Sequence, residues 1–69
     1  MKESTLKKLR TKMGLSQYAL AKEAQMAQAT ISTLEAGYVK FSQRSLERLA
    51  KTLEVPESAL AGKDGYAKI

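Results

Sequence analysis

A chain of 69 residues with a formal charge of +5 makes one small domain, near the size at which a single hydrophobic core suffices without cross-links. It contains neither cysteine nor histidine, which rules out disulfides and leaves no ordinary ligand set for zinc. No apolar run approaches the ~18–20 residues of a membrane span and no signal peptide precedes the first helix, so a soluble cytoplasmic protein is expected.

Leu6, Leu9 and Met13 recur at intervals of three and four and predict a first helix over about 3–13. Ser4 or Thr5 can cap its start, and Gly14 ends it. Arg10 stands one turn beyond Leu6, close to the apolar row and away from most of the lysines, a position from which it can reach inward. Glu35 is the acid available to it. A partly buried pair would fix how the first and third helices meet, with little net stabilisation because desolvation offsets attraction. The alternative is two ordinary surface charges.

Residues 16–37 predict two short helices, about 17–24 and 28–35, joined by the break Gln25-Met26-Ala27. Ser16 can cap the first, whose apolar face holds Leu20, Ala21 and Ala24. The second has its apolar row at Ile31 and Leu34 and a left-handed stop at Gly37. The faces away from these rows carry Gln17, Gln28, Ala29, Thr30, Ser32 and Thr33, short neutral side chains that donate, accept or offer a methyl. Two packed helices with such a face are the sequence signature of a helix-turn-helix.

Residues 38–42 read as a loop, and Ser42 as the cap of a fourth helix over about 43–53, with Leu46, Leu49, Ala50 and Leu53 inward. Glu54 stands where a glycine stop is easier. Val55-Pro56 restarts the chain into a short fifth helix, about 56–61, carrying Leu60 and stopped by Gly62. Residues 63–69 show no periodicity and are expected to be a flexible tail after a domain at 1–62. The expected fold class is all-α, a compact five-helix bundle.

Charge is unevenly spread along this plan. Lys2, Lys7, Lys8, Arg10 and Lys12 against Glu3 give residues 1–12 a balance of +4. Lys40, Arg44, Arg48 and Lys51 against Glu47 give residues 40–51 a balance of +3. Positive charge therefore brackets the two-helix unit, which suits a polyanionic partner; the bland reading is two solvated helix faces. The seven acids are scattered and no histidine or cysteine accompanies them, so no acid–base pair is in place for catalysis and an enzyme is not expected.

The ordered set Leu6-x-x-Leu-Arg10-x-x-x-Gly14-Leu-Ser-Gln17-x-x-Leu20-Ala21, Ile31-Ser-x-Leu-Glu35-x-Gly37 and Leu46-x-x-Leu-Ala50-x-x-Leu-x-Val55 resembles the Cro/cI (XRE) helix-turn-helix family of lambdoid phage repressors. The resemblance covers roughly residues 4–62 and implies a lambda-repressor-like DNA-binding domain of bacterial or phage origin. It implies base contacts from Gln28, Ala29, Ser32 and Thr33, with Gln28 able to pair with adenine in two-point fashion. It implies phosphate contacts from Arg10, Gln17, Thr30, Lys40, Ser42 and Arg44, with Gln17 helped by the positive end of its helix. It also makes Arg10 and Glu35 a structural ion pair. The sequence departs from the family where glycine is usual, at Gln25 and Glu54, and where a capping Ser or Thr is common, at Ala27. Each departure costs on the order of 1 kcal/mol.

The function implied is a sequence-specific transcriptional regulator, a repressor of a phage or mobile-element promoter, bound to a two-fold double-stranded DNA operator as a homodimer. Val55, Pro56, Leu60, Tyr66 and Ile69 are candidates for the dimer surface, with Val55 and Leu60 in the core as the alternative. A restriction–modification controller or an antitoxin fits the same residues. A protein-interaction module without specific DNA binding is the reading from another class. No cofactor, metal, catalytic residue or small-molecule substrate is expected.

Overall fold

Three serines start three of the helices. In the computed structural model, which describes residues 3–69, Ser4, Ser16 and Ser42 each have extended backbone, and their hydroxyls accept from the N–H groups of Lys7, Ala19 and Ser45 at 3.2, 3.0 and 3.1 Å. Each bond satisfies a donor that has no partner inside its helix. Met1 and Lys2, counted above in the basic first segment and in the 1–62 domain, lie outside the described residues.

The helices are α1 (Thr5–Lys12), α2 (Gln17–Ala24), α3 (Gln28–Ala36), α4 (Gln43–Leu53) and α5 (Glu57–Leu60). Among the described residues there is no strand, only one antiparallel bridge between Ala61 and Ala67. Leu6, Leu20, Ala21, Ala24, Ile31, Leu34, Leu49, Ala50, Leu53 and Leu60 form the buried core, so every helix contributes to it. Leu9, Leu15, Met26, Phe41, Leu46 and Val55 pack around them. Met13, the last residue of the first apolar row, lies at the end of α1 and is 48% exposed.

The breaks between helices carry the strain expected of them. Gln25 has φ 59° and Glu54 φ 57°, both left-handed, and these are the two non-glycine residues with positive φ among those described. Ala27 occupies the cap position of α3 with no side-chain bond to the helix. Arg48 on α4 compensates in part, its Nη1 donating to the Gln25 carbonyl at 2.8 Å.

Two expectations are corrected. Pro56 is the residue before α5 rather than within it, and Ala61 is extended rather than helical, because it is drawn into the bridge with Ala67. The segment 63–69, expected as a flexible tail, is folded back on the domain. Gly62 N–H donates to the Tyr66 carbonyl at 2.9 Å, and Asp64 Oδ1 accepts from Tyr66 N–H at 3.0 Å, closing a tight hairpin. Lys68 N–H then donates to the Leu60 carbonyl at 2.9 Å, and the Lys68 carbonyl accepts from Thr5 N–H at 2.6 Å, supplying the first donor of α1 with a partner. The segment is held by backbone bonds and the one Asp64 carboxylate contact, which leave no apolar periodicity to read.

Relieving the local costs stabilises the domain. Ala27→Ser is expected to add about 1 kcal/mol, raising the melting midpoint by roughly 4–8 °C in a domain of this size. Gln25→Gly acts in the same direction by roughly 0.5–1 kcal/mol, the left-handed penalty less the glycine entropy. Thermal melts followed by far-ultraviolet circular dichroism check both.

Candidate nucleic-acid interface

The position of α3 is set by a polar cluster at its inner end. Arg10 Nε donates to Glu35 Oε2 at 2.6 Å and Nη2 to Glu35 Oε1 at 3.2 Å, a two-point guanidinium–carboxylate pair. The Arg10 side chain is 9% exposed and that of Glu35 4%. Arg10 Nη1 donates to the Leu15 carbonyl at 2.7 Å, and Gln17 Nε2 donates to Glu35 Oε1 at 3.0 Å. One carboxylate near the end of α3 thus holds α1, and through Gln17 the first turn of α2. The α1–α2 connection is held through Arg10. No described buried side-chain nitrogen or oxygen lacks a partner.

This geometry corrects the double assignment of Arg10. It is the structural ion pair, and three nitrogens of its guanidinium are engaged inside the domain, so it is withdrawn from the phosphate contacts. Gln17 is half-buried; one amide proton goes to Glu35 and the other remains for an outside acceptor.

The outer face of α3 is short and uncharged. Gln28, Ala29 and Ser32 are exposed, at helical spacings of one and four, opposite the buried Ile31 and Leu34. Thr30 and Thr33 are half-buried. The Thr33 hydroxyl donates back to the carbonyls of Ala29 and Thr30, both at 3.1 Å, so it offers a methyl and acceptor lone pairs rather than a proton. Ser42 is similarly engaged. It caps α4, and its hydroxyl donates to Ser45 Oγ at 3.0 Å. Lys40 and Arg44 are exposed at either side of it, on the α3–α4 connection and the first turn of α4.

A shallow crevice between α1, α2 and α3 is lined by Lys7, Gln17, Ser32, Glu35 and Ala36. It brings a predicted phosphate residue and a predicted base residue together, and adds Lys7, which the sequence reading did not single out. Lys7 stands three residues before Arg10, one helical turn along the same side of α1, and that spacing is the signal that could have found it. A larger surface cavity of about 530 Å³, between the end of α2 and α4, contains Arg48 and Lys51 but none of the predicted contact residues.

Of the dimer candidates, Leu60 is withdrawn because it is fully buried in the core, and Val55 packs against the core. Pro56 is exposed, Tyr66 half-buried, and Ile69 70% exposed. Among the described residues there is no cluster of three or more His, Cys, Asp or Glu able to hold a metal ion. No helix of the described residues is long and apolar enough to cross a membrane.

A family model described as helix-turn-helix matches residues 6–60, which include all five helices except the first residue of α1. A comparison with curated proteins finds no match.

Breaking the buried pair from one side leaves the other charge stranded. Glu35→Ala is expected to cost roughly 3–5 kcal/mol, most of the stability of a domain this small, and urea unfolding measures it. Replacing both partners together, Arg10→Met with Glu35→Leu, is expected to recover most of that loss.

Proposed function

The chain belongs to the Cro/cI (XRE) type of helix-turn-helix family, a family of DNA-binding transcription regulators, and from that premise we propose that it is a sequence-specific repressor of a phage or mobile-element promoter. The observation that carries the reading is the outer face of α3, where Gln28, Ala29 and Ser32 stand exposed on a helix locked from behind by the Arg10–Glu35 pair. A rigid helix with a short uncharged face can approach base edges closely, and nothing on that face restricts it to phosphate.

In this reading α3 lies in the major groove. Gln28, at its first residue, pairs with an adenine through its amide, and Ala29 meets a thymine methyl. Ser32 and the methyl of Thr33 lie one turn further along. With no charged side chain among these four, part of the discrimination comes from water and from the shape of the DNA. Gln17, Lys40 and Arg44 take backbone phosphates, joined by Lys7, while Thr30 touches the backbone through its hydroxyl or packs its methyl. Ser42 serves by capping α4 and presenting its first N–H groups. These contacts provide most of the affinity and make it fall steeply with salt.

One such domain reads only a few base pairs. Useful specificity comes from two copies on a two-fold operator with half-sites about 10 bp apart. Occupancy of that operator excludes polymerase, and the protein acts by binding rather than by catalysis.

Selection from a random duplex library at ~0.15 M salt, wild type beside Gln28→Ala, tests the reading. A two-fold motif is expected, with the preference lost at one symmetric position in the variant. Retention without enrichment would leave a basic domain that only holds phosphates, and no retention would favour a protein-interaction module.

A further inference from the structure

The connection between α3 and α4 carries Lys40 and Ser42, and its anchor comes from the far end of the chain. Phe41 N–H donates to the Gly65 carbonyl at 2.8 Å, so the residue between Lys40 and Ser42 is tied to the turn of the C-terminal hairpin. Gly65 has φ +88°, and a Cβ placed there would stand 3.5–3.6 Å from the β, γ and δ carbons of Lys40. The stem of Lys40 therefore runs along the Gly65 backbone. Beyond it, the Lys40 ammonium lies 5.8 Å from the centre of the Tyr66 ring. Backbone, stem and charge of the same segment all meet two residues of the hairpin.

The chain end also has bonds of its own, from Lys68 to Leu60 and Thr5 at the other end of the hairpin. The contacts at 65 and 66 converge on one exposed basic residue instead. A lysine on an unanchored loop loses rotamer and backbone freedom when it meets a phosphate, and that loss weakens binding. A lysine whose methylenes already lie against backbone has less to lose. Its ammonium is steadied over the half-buried Tyr66 ring, and with three donors it can make a charge-assisted bond to a phosphate from that position.

We propose that the C-terminal hairpin is part of the DNA-binding apparatus: Gly65 and Tyr66 are positioning residues that hold the α3–α4 connection and the stem of Lys40 in place for a backbone phosphate. On binding, the stem stays on Gly65 and the ammonium stays over the Tyr66 ring while it donates to the phosphate. The proposal rests on the DNA-binding reading above.

The test compares Tyr66→Leu, which keeps apolar bulk without a π face, with Tyr66→Phe, which keeps the face. Lys40→Ala is made in the wild-type and Tyr66→Leu backgrounds. Binding is read by fluorescence anisotropy on the selected operator and on a random duplex, across a salt series, with thermal melts alongside. Tyr66→Leu is expected to weaken binding roughly two- to tenfold, equally on both duplexes, and to lower the salt slope by about one. Tyr66→Phe is expected to bind as wild type, and Lys40→Ala to cost less once Tyr66 is replaced. An unchanged salt slope in Tyr66→Leu, or independent effects of the two substitutions, overturns the proposal and leaves the DNA-binding reading standing. Wild type that binds neither duplex overturns both.

A measurement on the wild type needs no substitution. The Lys40 ε-methylene resonances, lying near the Tyr66 ring in the free protein, are expected to keep their ring shift when operator is added and those of α3 move. Lys40 resonances that lose the ring shift on binding would sink the proposal even if the Tyr66 variants fail to fold.

Discussion

A charge buried in a small protein must be answered by another, and here that requirement organises three helices. The Glu35 carboxylate is reached by two nitrogens of Arg10 and one of Gln17, while the third Arg10 nitrogen goes to the Leu15 carbonyl. The net stabilisation of such a pair is modest because both ions leave water. Its geometric consequence is larger. Leucines and alanines tolerate small rotations of one helix on another, whereas a two-point guanidinium–carboxylate contact does not. Since Glu35 lies in α3 and its partners in α1 and α2, the outer face of α3 is fixed relative to the rest of the domain. A helix meant to present Gln28 to a base edge needs that fixed background.

Gln17 shows how closely frame and interface are joined. Its amide completes the Glu35 cluster with one proton and keeps the other for outside. It also lines the crevice shared by Lys7 and Ser32. In the proposed complex, a phosphate bound at Gln17 would report on the same carboxylate that orients α3. The opposite economy operates at the breaks. Gln25 and Glu54 hold left-handed backbone without glycine, and α3 starts without a side-chain cap. The chain accepts these local costs while keeping the core leucines fully buried, so stability is conceded at helix ends rather than in the packing.

What was legible in the sequence was local chemistry. Ser4, Ser16 and Ser42 announce helix starts because a short hydroxyl suits a cap. Gly14 and Gly37 announce stops, and their φ values of 74° and 78° show why. The apolar rows of α2, α3 and α4 predict the core residues almost one for one, since burial and helical period leave few arrangements. Arg10 and Glu35 could be paired from Arg10's nearness to the apolar row and, more firmly, from the family resemblance. Their burial then decides between the two roles given to Arg10. What stayed hidden was non-local and made of backbone. Neither the Phe41–Gly65 bond nor the Lys68 bonds leave a mark in residue type, so the last residues resembled a free tail. Ala61 looked helical for the same reason, its bridge partner being six residues away. The roles of Gln28, Ala29 and Ser32 rest on family resemblance together with their exposed places on α3.

The bond between Thr5 and Lys68 has a consequence during synthesis. The first turn of α1 leaves the ribosome before the other helices of the domain, yet the carbonyl that satisfies its first amide belongs to residue 68. Closing a loop over this span costs more chain entropy than closing one between neighbouring helices. Until residue 68 clears the exit tunnel, α1 has only the Ser4 hydroxyl at its entrance, and the α3–α4 connection lacks its anchor at Gly65. The nascent chain can assemble its helical core before that point, but the surface around Lys40 is completed only after residues 65–68 have emerged. A half-made copy therefore carries the recognition helix without the finished basic flank beside it.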